Sequence, residues 1–161
     1  MQLSIDHVVS GKSNAILSCG NTGALMAISL LKLRTVASIK RPSIASIWPN
    51  IKGESIVLDL GANIKNDTNS LIDNAILGSA LAKVLFSMTE PSVGLLNVGI
   101  EDMKGNENVQ KASEILSEMS NKKQLNYYGF VEGADISNGI CLLYTSHSQR
   151  DLSTSRMPYS A

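Results

Sequence analysis

The residues best suited to chemistry lie between an apolar stretch and the start of a helical pattern, in the run Asn97–Glu107. This run contains three acids, two glycines and Lys104. A lysine just before a helix adds positive charge where backbone N–H groups already favour anions, whereas ordinary capping favours acids in the first turn. The run therefore favours a site for phosphate or an oxyanion, with an ordinary surface loop as the alternative.

Two further loops follow apolar runs that are typical of strands. The loop Gly20–Gly23 has two glycines that let the backbone approach an anion, and the helix after it offers free N–H groups. The loop Asp59–Asn63 places an acid and an amide on either side of a sharp turn. Taken singly, each loop is also typical of a turn glycine with a capping asparagine. Open α/β sheets bind ligands beyond the carboxyl ends of their strands, where all three loops are expected. The predicted phosphate- or substrate-binding residues are Gly20, Asn21, Thr22, Gly23, Asp59, Gly61, Asn63 and Gly105.

Other kinds of site are excluded by the residues that the chain contains. His7 and His147 are its two histidines, which makes a Ser-His-Asp site, a Cys-His site or a histidine-rich metal site improbable. The two cysteines, Cys19 and Cys141, have no metal or CxxC spacing, which suits a reducing cytosol. There is no GxGxxG motif and no GxxxxGK[ST] motif for a nucleotide. We therefore predict no metal and no cofactor.

The composition indicates a soluble cytoplasmic α/β domain. The 161 residues have the length of one domain, and 43% of them are hydrophobic, which is enough for a core. The net charge of +0 does not favour nucleic-acid binding. No apolar run reaches the roughly 18–20 residues of a membrane span, and the start lacks the pattern of a signal peptide. Six basic residues and no acid lie between Asp6 and Glu54, which indicates either solvated surface or a basic face for an anionic ligand or acidic partner.

Short apolar runs alternate with longer helical patterns, which is typical of βα units around a parallel sheet. The predicted strands are Ala15–Cys19, Ser43–Trp48, Ser55–Leu60, Val93–Val98 and Leu125–Val131. The predicted helices are a buried one over Ala24–Leu33 and two further ones over Leu71–Leu85 and Val109–Met119, the last with Asn106 as a fair N-cap. We therefore expect an α/β fold with a mostly parallel, Rossmann-like sheet sandwiched by helices.

The last part of the chain has a different composition. From Cys141 onward it is rich in Ser, Thr and Arg and has no apolar period. Its amino-acid sequence resembles translated adapter sequence, which is found at the ends of gene predictions from short-read assemblies. We expect residues 141–161 to be a non-native, unstructured tail, with a native disordered tail as the alternative. Residues 1–140 are then predicted to be the central part of a single α/β domain.

Five segments together resemble one family, the PlsX-type phosphate acyltransferases. They are SCGNTGALM, RPSIASIWP, VLDLGANI, VGLLNVGIEDMKGNE and YYGFVEGADI, and their order and spacing match the family from about Met1 to Ile140. The resemblance implies a fold similar to the phosphotransacetylase and isocitrate dehydrogenase group. It also implies truncation at both ends, since the family's Asp-Ala-Met-Gly-Gly strand before this region and its Asp-Gly-Phe-x-Gly-Asn motif after it are not in the chain.

The resemblance also implies a function. Members of the family transfer an acyl chain from acyl carrier protein to inorganic phosphate and so make acyl phosphate for phospholipid synthesis. They form homodimers in the cytoplasm, with peripheral association at the inner face of the membrane. The KGNE motif makes Lys104 and Asn106 the catalytic candidates. We expect this chain alone to be inactive, and the alternatives are phosphotransacetylase-like transfer involving coenzyme A and a non-catalytic interaction module.

Overall fold

The computed structural model describes residues 1–36, 39–59, 67–97, 107–139 and 143–145. The chain divides into two compact units, Met1–Pro42 and Ser43–Ala161. Whether residues 1–140 belong to a single domain stays a prediction.

The first unit contains two helices, α1 (Gln2–Val9) and α2 (Thr22–Leu33). An ion pair of 2.9 Å between Lys32 Nζ and Asp6 Oδ1 joins them. Among the described residues of this unit, Ile5 is the one that is fully buried. The two helices therefore share a very small core.

Two expectations for this unit are wrong. The run Ala15–Cys19 is not a strand, and Leu17 within it is 94% exposed. A strand needs a hydrogen-bonded neighbour, and the described part of this unit contains none. The predicted helix Ala24–Leu33 forms as part of α2, but no residue of α2 is buried. Apolar composition on all sides favoured burial, which requires packing partners that the described residues of this unit do not supply.

The second unit is built on a five-stranded sheet with the order β1-β2-β5-β3-β4. Its strands are β1 (Ala45–Asn50), β2 (Gly53–Leu58), β3 (Ser92–Leu96), β4 (Asn126–Val131) and β5 (Leu143–Thr145). Among the described strands, β1 and β2 pair antiparallel, and the other three pairings are parallel. The expectation of a mostly parallel sheet is therefore confirmed. Three helices connect the strands, namely α3 (Thr68–Phe86), α4 (Glu107–Asn121) and α5 (Gly133–Asn138).

Helices cover both faces of this sheet. Alternate strand residues such as Ile56, Leu58 and Leu95 pack in one apolar cluster with residues of α3 and α4. The residues between them, such as Val57 and Leu96, form a second cluster with Ile136 of α5. Side chains alternate between the two faces of a strand, so both sets are buried only if each face is covered. The α/β sandwich predicted from the sequence is present.

Strand β5 corrects the expectation for the end of the chain. Residues 143–145 pair in parallel with β2 on one side and β3 on the other, at the centre of the sheet. This run was expected to be unstructured because the sequence from Cys141 onward has no apolar period. A gap between two parallel strands presents backbone donors and acceptors on both sides, so a short strand can occupy it through main-chain pairing alone. Residues 140–142 and 146–161 lie outside the described residues, and a non-native origin of 141–161 stays a prediction.

Candidate functional site

Two buried polar residues stand where β2 and β3 end. Asp59 follows β2 and is 2% exposed, and Asn97 follows β3 and is 4% exposed. Their backbones continue the sheet, since Asp59 N donates to Ile44 O and Asn97 N donates to Val131 O, both at 2.9 Å. Burying a polar side chain is unfavourable unless it has polar partners, and both residues take part in polar interactions. A polar residue at the buried end of each strand makes both positions candidates for a site.

The register of the sheet places Asp59 and Asn97 on either side of β5. Leu58 and Leu95 both pair with Thr145. Asp59 therefore lies one residue beyond the level of Thr145 along its strand, and Asn97 lies two residues beyond it. Neighbouring strands are about 4.8 Å apart, which separates the two backbones by roughly 10 Å across the sheet. Both residues therefore lie at the same carboxyl edge, where parallel α/β sheets bind their ligands.

Asp59 also has an unusual backbone conformation. Its φ is +64°, in the left-handed region that glycine adopts easily and that costs other residues about 1–2 kcal/mol. Backbone strain of this kind concentrates at functional sites, where the surrounding structure holds it in place. The predicted site residue Asp59 is thus buried, has a positive φ and lies at the carboxyl edge of the parallel strands.

Two helices begin beside this edge. Helix α3 starts at Thr68, and α4 starts at Glu107. Thr68 Oγ1 donates a hydrogen bond of 3.2 Å to the backbone oxygen of Asn108 and lies 3.4 Å from Asn108 Oδ1. The first turns of the two helices are therefore joined. A helix N-terminus carries partial positive charge and favours anions.

The first turns of these helices already hold carboxylates. Asp67 Oδ1 accepts hydrogen bonds from Ser70 N at 2.8 Å and from Ser70 Oγ at 2.6 Å, which caps α3. Glu107 is paired with Lys111 at 2.6 Å on the exposed side of α4. The hydrogen bond and the positive charge of Lys111 lower the pKa of the Glu107 carboxyl. Asp67 therefore already occupies the cap position of α3, and phosphate binding near these two helices stays a prediction.

The loop Gly20–Gly23 belongs to the first unit. Asn21 is the N-cap of α2, and its Oδ1 accepts a hydrogen bond of 2.9 Å from Ala24 N. This bond uses one of the N–H groups that an anion would need. Gly23 lies close to the same side chain, because a Cβ on it would come within 3.4 Å of Asn21 Oδ1. The capping alternative therefore accounts for Asn21, and binding by Gly20–Gly23 stays a prediction.

The remaining predicted site residues lie outside the described part of the chain. They are Gly61, Asn63, Lys104, Gly105 and Asn106, and the suggested N-cap role of Asn106 is among the untested predictions. Asn97 and Thr68 were not among the predicted site residues. Asn97 could have been found as the polar residue that ends the apolar run VGLL, whereas the partner of Thr68 is 40 positions away and leaves no local signal.

Two searches of the described residues bear on other site types. No group of three or more His, Cys, Asp or Glu side chains among them could hold a metal ion. None of the helices in the described ranges is long and apolar enough to cross a membrane.

The family described as "Fatty acid synthesis protein" matches residues 1–142 of this chain. The chain belongs to this family. The expected resemblance to phosphate acyltransferases is confirmed by curated relatives. The "Phosphate acyltransferase" of Mesorhizobium japonicum is 52% identical over 139 residues, which cover 86% of this chain and 39% of the relative. That of Sinorhizobium fredii is 51% identical over 139 residues and 40% of its length. This member of the fatty acid synthesis protein family thus spans about two fifths of the curated relatives it matches.

Solved structures confirm the expected fold. The "EutD phosphotransacetylase from Staphylococcus aureus" matches with a TM-score of 0.63 and 18% identity, over 95% of this chain and 52% of that one. A branched-chain phosphotransacylase from Enterococcus faecalis V583 matches with a TM-score of 0.64 and 15% identity, over 95% of this chain and 61% of that one. At such low identity the likeness shows the fold alone.

Proposed function

We propose that this chain is part of a phosphate acyltransferase that transfers an acyl group from acyl carrier protein to inorganic phosphate. The observation that carries the proposal is the 52% identity over 139 residues to a relative named phosphate acyltransferase. The buried Asp59 and Asn97, at the carboxyl edge where two helices begin, support an anion site in the same region. Because the chain spans 39% of that relative, the rest of the active site comes from residues that this chain does not contain.

The reaction requires stabilisation of negative charge on the attacking phosphate and on the carbonyl oxygen of the thioester. A phosphate oxygen attacks the thioester carbonyl, the new C–O bond forms, the C–S bond breaks, and the leaving thiolate takes up a proton from solvent. Charge grows on the carbonyl oxygen, and each well-placed donor contributes about 3 kcal/mol to stabilising it. We assign this role to Lys104 and to the backbone and side chain of Asn106. A thiol has a reference pKa near roughly 8.5, so the thiolate leaves without a strong general acid.

Asp59 requires a separate role, because a carboxylate repels a phosphate unless a proton lies between them. Inorganic phosphate at neutral pH carries at least one hydroxyl group, which can donate to a carboxylate oxygen. We propose that Asp59 accepts this hydrogen bond and so orients the phosphate for attack, with the backbone of Gly61, Asn63 and Gly105 as donors to its other oxygens. The burial of Asp59 supports this role, since a charge-assisted hydrogen bond is stronger away from water.

The proposal extends to the assembly and location of the longer protein. We propose a homodimer in the cytoplasm that associates peripherally with the inner face of the membrane, and we expect this chain alone to be inactive. The rival acyl donor is an acyl-coenzyme A, as in phosphotransacetylase-like transfer.

A thermal-shift titration separates these functions. The protein to use is a chimera, namely the Mesorhizobium japonicum relative in which the 139 aligned residues of this chain replace their counterparts. Phosphate and acyl carrier protein should each raise the melting temperature in a saturable way, because a ligand that binds only the folded state stabilises it. Stabilisation by coenzyme A but not by acyl carrier protein would favour the rival donor. No shift with any of the three would favour a non-catalytic module.

A further inference from the structure

We propose that the C-terminal end of α2 and the segment after it form a docking surface for an acidic protein, which under the proposed function is the acyl carrier protein. We call this surface the basic end of α2, and it is defined by Leu31, Lys32, Arg34, Val36, Lys40 and Arg41. The identity of the partner rests on the proposed function, whereas the charge and the exposure of the surface are observed.

The charged residues of the chain are divided unevenly between its two units. Met1–Pro42 contains five basic residues and one acid, Asp6, whereas Ser43–Ala161 contains nine basic residues and thirteen acids. The first unit therefore has a formal charge of +4 with histidine neutral, although the whole chain has +0. Four of its five basic residues belong to the basic end of α2. A surface with charge of one sign attracts partners of the other sign and accelerates their association.

Most of this charge is available to a partner. Lys32 Nζ pairs with Asp6 Oδ1 at 2.9 Å within the unit. Arg34, Lys40 and Arg41 are exposed, and no ion pair between described residues involves them. The negative end of a helix dipole attracts basic residues within the last turn, which accounts for Lys32 but not for Lys40 and Arg41 beyond the helix.

A backbone hydrogen bond keeps the two halves of the basic end near each other. Ile39 N donates to Val36 O at 2.9 Å, so the Cα atoms of these two residues lie within about 7 Å. Arg34 is two residues before Val36, and Lys40 directly follows Ile39, so the Cα atoms of Arg34 and Lys40 are at most about 18 Å apart. A protein interface of standard size covers about 800 Å² on each partner, which corresponds to a diameter of about 30 Å. One partner can therefore contact both halves.

Exposed apolar side chains lie among these charges and favour a protein as the partner. Leu31 is 81% exposed and Val36 is 71% exposed. Protein interfaces combine apolar contacts with a polar rim and are enriched in arginine, whereas a nucleic-acid backbone is bound through charge and hydrogen bonds. A helix that lies on a membrane has a polar face rich in lysine and arginine, but Lys32 is the single charged residue of α2. The combination of residues therefore fits an acidic protein best.

The basic end is separated from the predicted anion loop of the same unit. The loop Gly20–Gly23 is at the N-terminus of α2, and the helix has 12 residues, which gives a length of about 18 Å. A carrier protein presents its acyl thioester on a flexible prosthetic arm, so the surface that binds the carrier lies apart from the reacting group. The basic end would therefore bind the carrier protein itself and not the phosphate.

The test measures binding of acyl carrier protein to the chimera by isothermal titration calorimetry. The neutral variant combines Arg34→Gln, Lys40→Gln and Arg41→Gln, which removes charge without placing an acid near the C-terminus of α2. Each exposed ion pair changes an affinity by roughly 1.5- to 5-fold, so the neutral variant should raise Kd by roughly 3- to 100-fold. The parental affinity should fall as salt is added, and that of the neutral variant should depend less on salt.

A matched control removes the same number of charges elsewhere. It combines Lys83→Gln, Lys122→Gln and Lys123→Gln, at three exposed lysines of the second unit, and should keep the parental Kd. In kinetic assays the neutral variant should raise KM for acyl-[acyl-carrier-protein] and leave KM for phosphate unchanged, since phosphate does not bind at this surface.

A second pair of variants tests the apolar part of the surface. Leu31→Ala should raise Kd for acyl carrier protein about three- to tenfold, because an exposed leucine loses contact with water when a partner covers it. Leu17→Ala is the control, since Leu17 is 94% exposed in the same unit but lies outside the basic end. Neither substitution should change the melting temperature of the free chimera.

Three results would overturn the proposal. The first is a parental Kd in the neutral variant or an equal loss in the lysine control. The second is loss of binding to vesicles of phosphatidylglycerol and phosphatidylcholine with the affinity for acyl carrier protein retained, which would make the surface a membrane contact. The third is a lower melting temperature of Leu31→Ala with unchanged Kd, which would show that the rest of the longer protein packs on this surface.

The proposed function and the docking surface fail in different ways. If the parent chimera makes no acyl phosphate from acyl-[acyl-carrier-protein], the proposed function fails, and the titration still decides whether the basic end binds the carrier protein. If the parent makes acyl phosphate and the neutral variant keeps the parental Kd and KM, only the docking surface fails.

Discussion

Replacement of Asp59 by asparagine should separate its functional role from its structural one. Asparagine tolerates the left-handed φ of +64° about as well as aspartate does, so the backbone strain is retained. A neutral amide is also less costly to bury than a carboxylate at 2% exposure. We expect the free energy of unfolding of Asp59→Asn to stay within about 1 kcal/mol of the parent or to rise. For a chain of 161 residues, that limit corresponds to a fall in melting temperature of no more than about 2–4 °C.

Activity should respond in the opposite direction. A hydrogen bond to a charged group contributes about 1.5–3 kcal/mol, so Asp59→Asn should lower kcat/KM for phosphate by roughly 10- to 150-fold. The assay is acyl-phosphate formation by the chimera. Asp73→Asn is the matched control, because it makes the same change at a partly exposed position on α3 in the same unit.

Asp59→Gly tests the same role with a residue that has no side chain. Glycine adopts a positive φ without strain, and relief of the strain favours a gain of about 1–2 kcal/mol in stability, against the loss of the contacts of the carboxylate. Activity should fall at least as far as in Asp59→Asn. If either variant keeps parental kcat/KM, or if activity falls only in proportion to lost stability, Asp59 is a structural acid and the reasoning is refuted.

Three further predictions concern the loop lysine, a helix cap and the central strand. Lys104→Ala in the chimera should lower turnover about 10²- to 10³-fold with little change in melting temperature. The control Lys83→Ala, at an exposed lysine, should change neither turnover nor melting temperature. Near-normal turnover in Lys104→Ala would remove Lys104 from the site. Asp67→Ala should destabilise the chain by about 1 kcal/mol, measured by urea unfolding, because it removes the cap on Ser70 N, and Asp67→Asn should recover most of this loss. Deletion of residues 141–161 should lower the unfolding midpoint far more than deletion of 146–161, because only the longer deletion removes β5 from between β2 and β3; equal midpoints would contradict the position of β5.

Hydrophobic patterns in the sequence predicted strands and helices that depend on local sequence. The apolar run at Val93–Val98 corresponds to β3 at Ser92–Leu96, and the stripe at Val109–Met119 lies within α4 at Glu107–Asn121. The same reasoning was wrong at Ala15–Cys19, where the residues have strand-like composition but no described neighbour to pair with. It also missed β5, because the place of that strand is determined by backbone groups of β2 and β3 that are distant in sequence.

The candidate site was predictable to a similar extent. Asp59 was predicted from its place after a strand, but its burial and positive φ depend on tertiary packing and could not be predicted from the sequence. Asn21 caps α2, and its anion binding stays a prediction, since the same residue type at the same place serves both purposes. The bond from Thr68 to Asn108 had no sequence signal, because neither helix pattern specifies its neighbour.

The most direct measurement is the product that the chimera makes from acyl carrier protein. Long-chain acyl-[acyl-carrier-protein] and inorganic phosphate are supplied, and acyl phosphate is trapped with hydroxylamine and quantified, with acyl-coenzyme A as the parallel substrate. The proposed function predicts acyl phosphate from the carrier-protein substrate, in amounts that saturate with phosphate and fall in both Lys104→Ala and Asp59→Asn. Formation of acyl phosphate from acyl-coenzyme A alone, or a parental rate in both variants, would contradict the account.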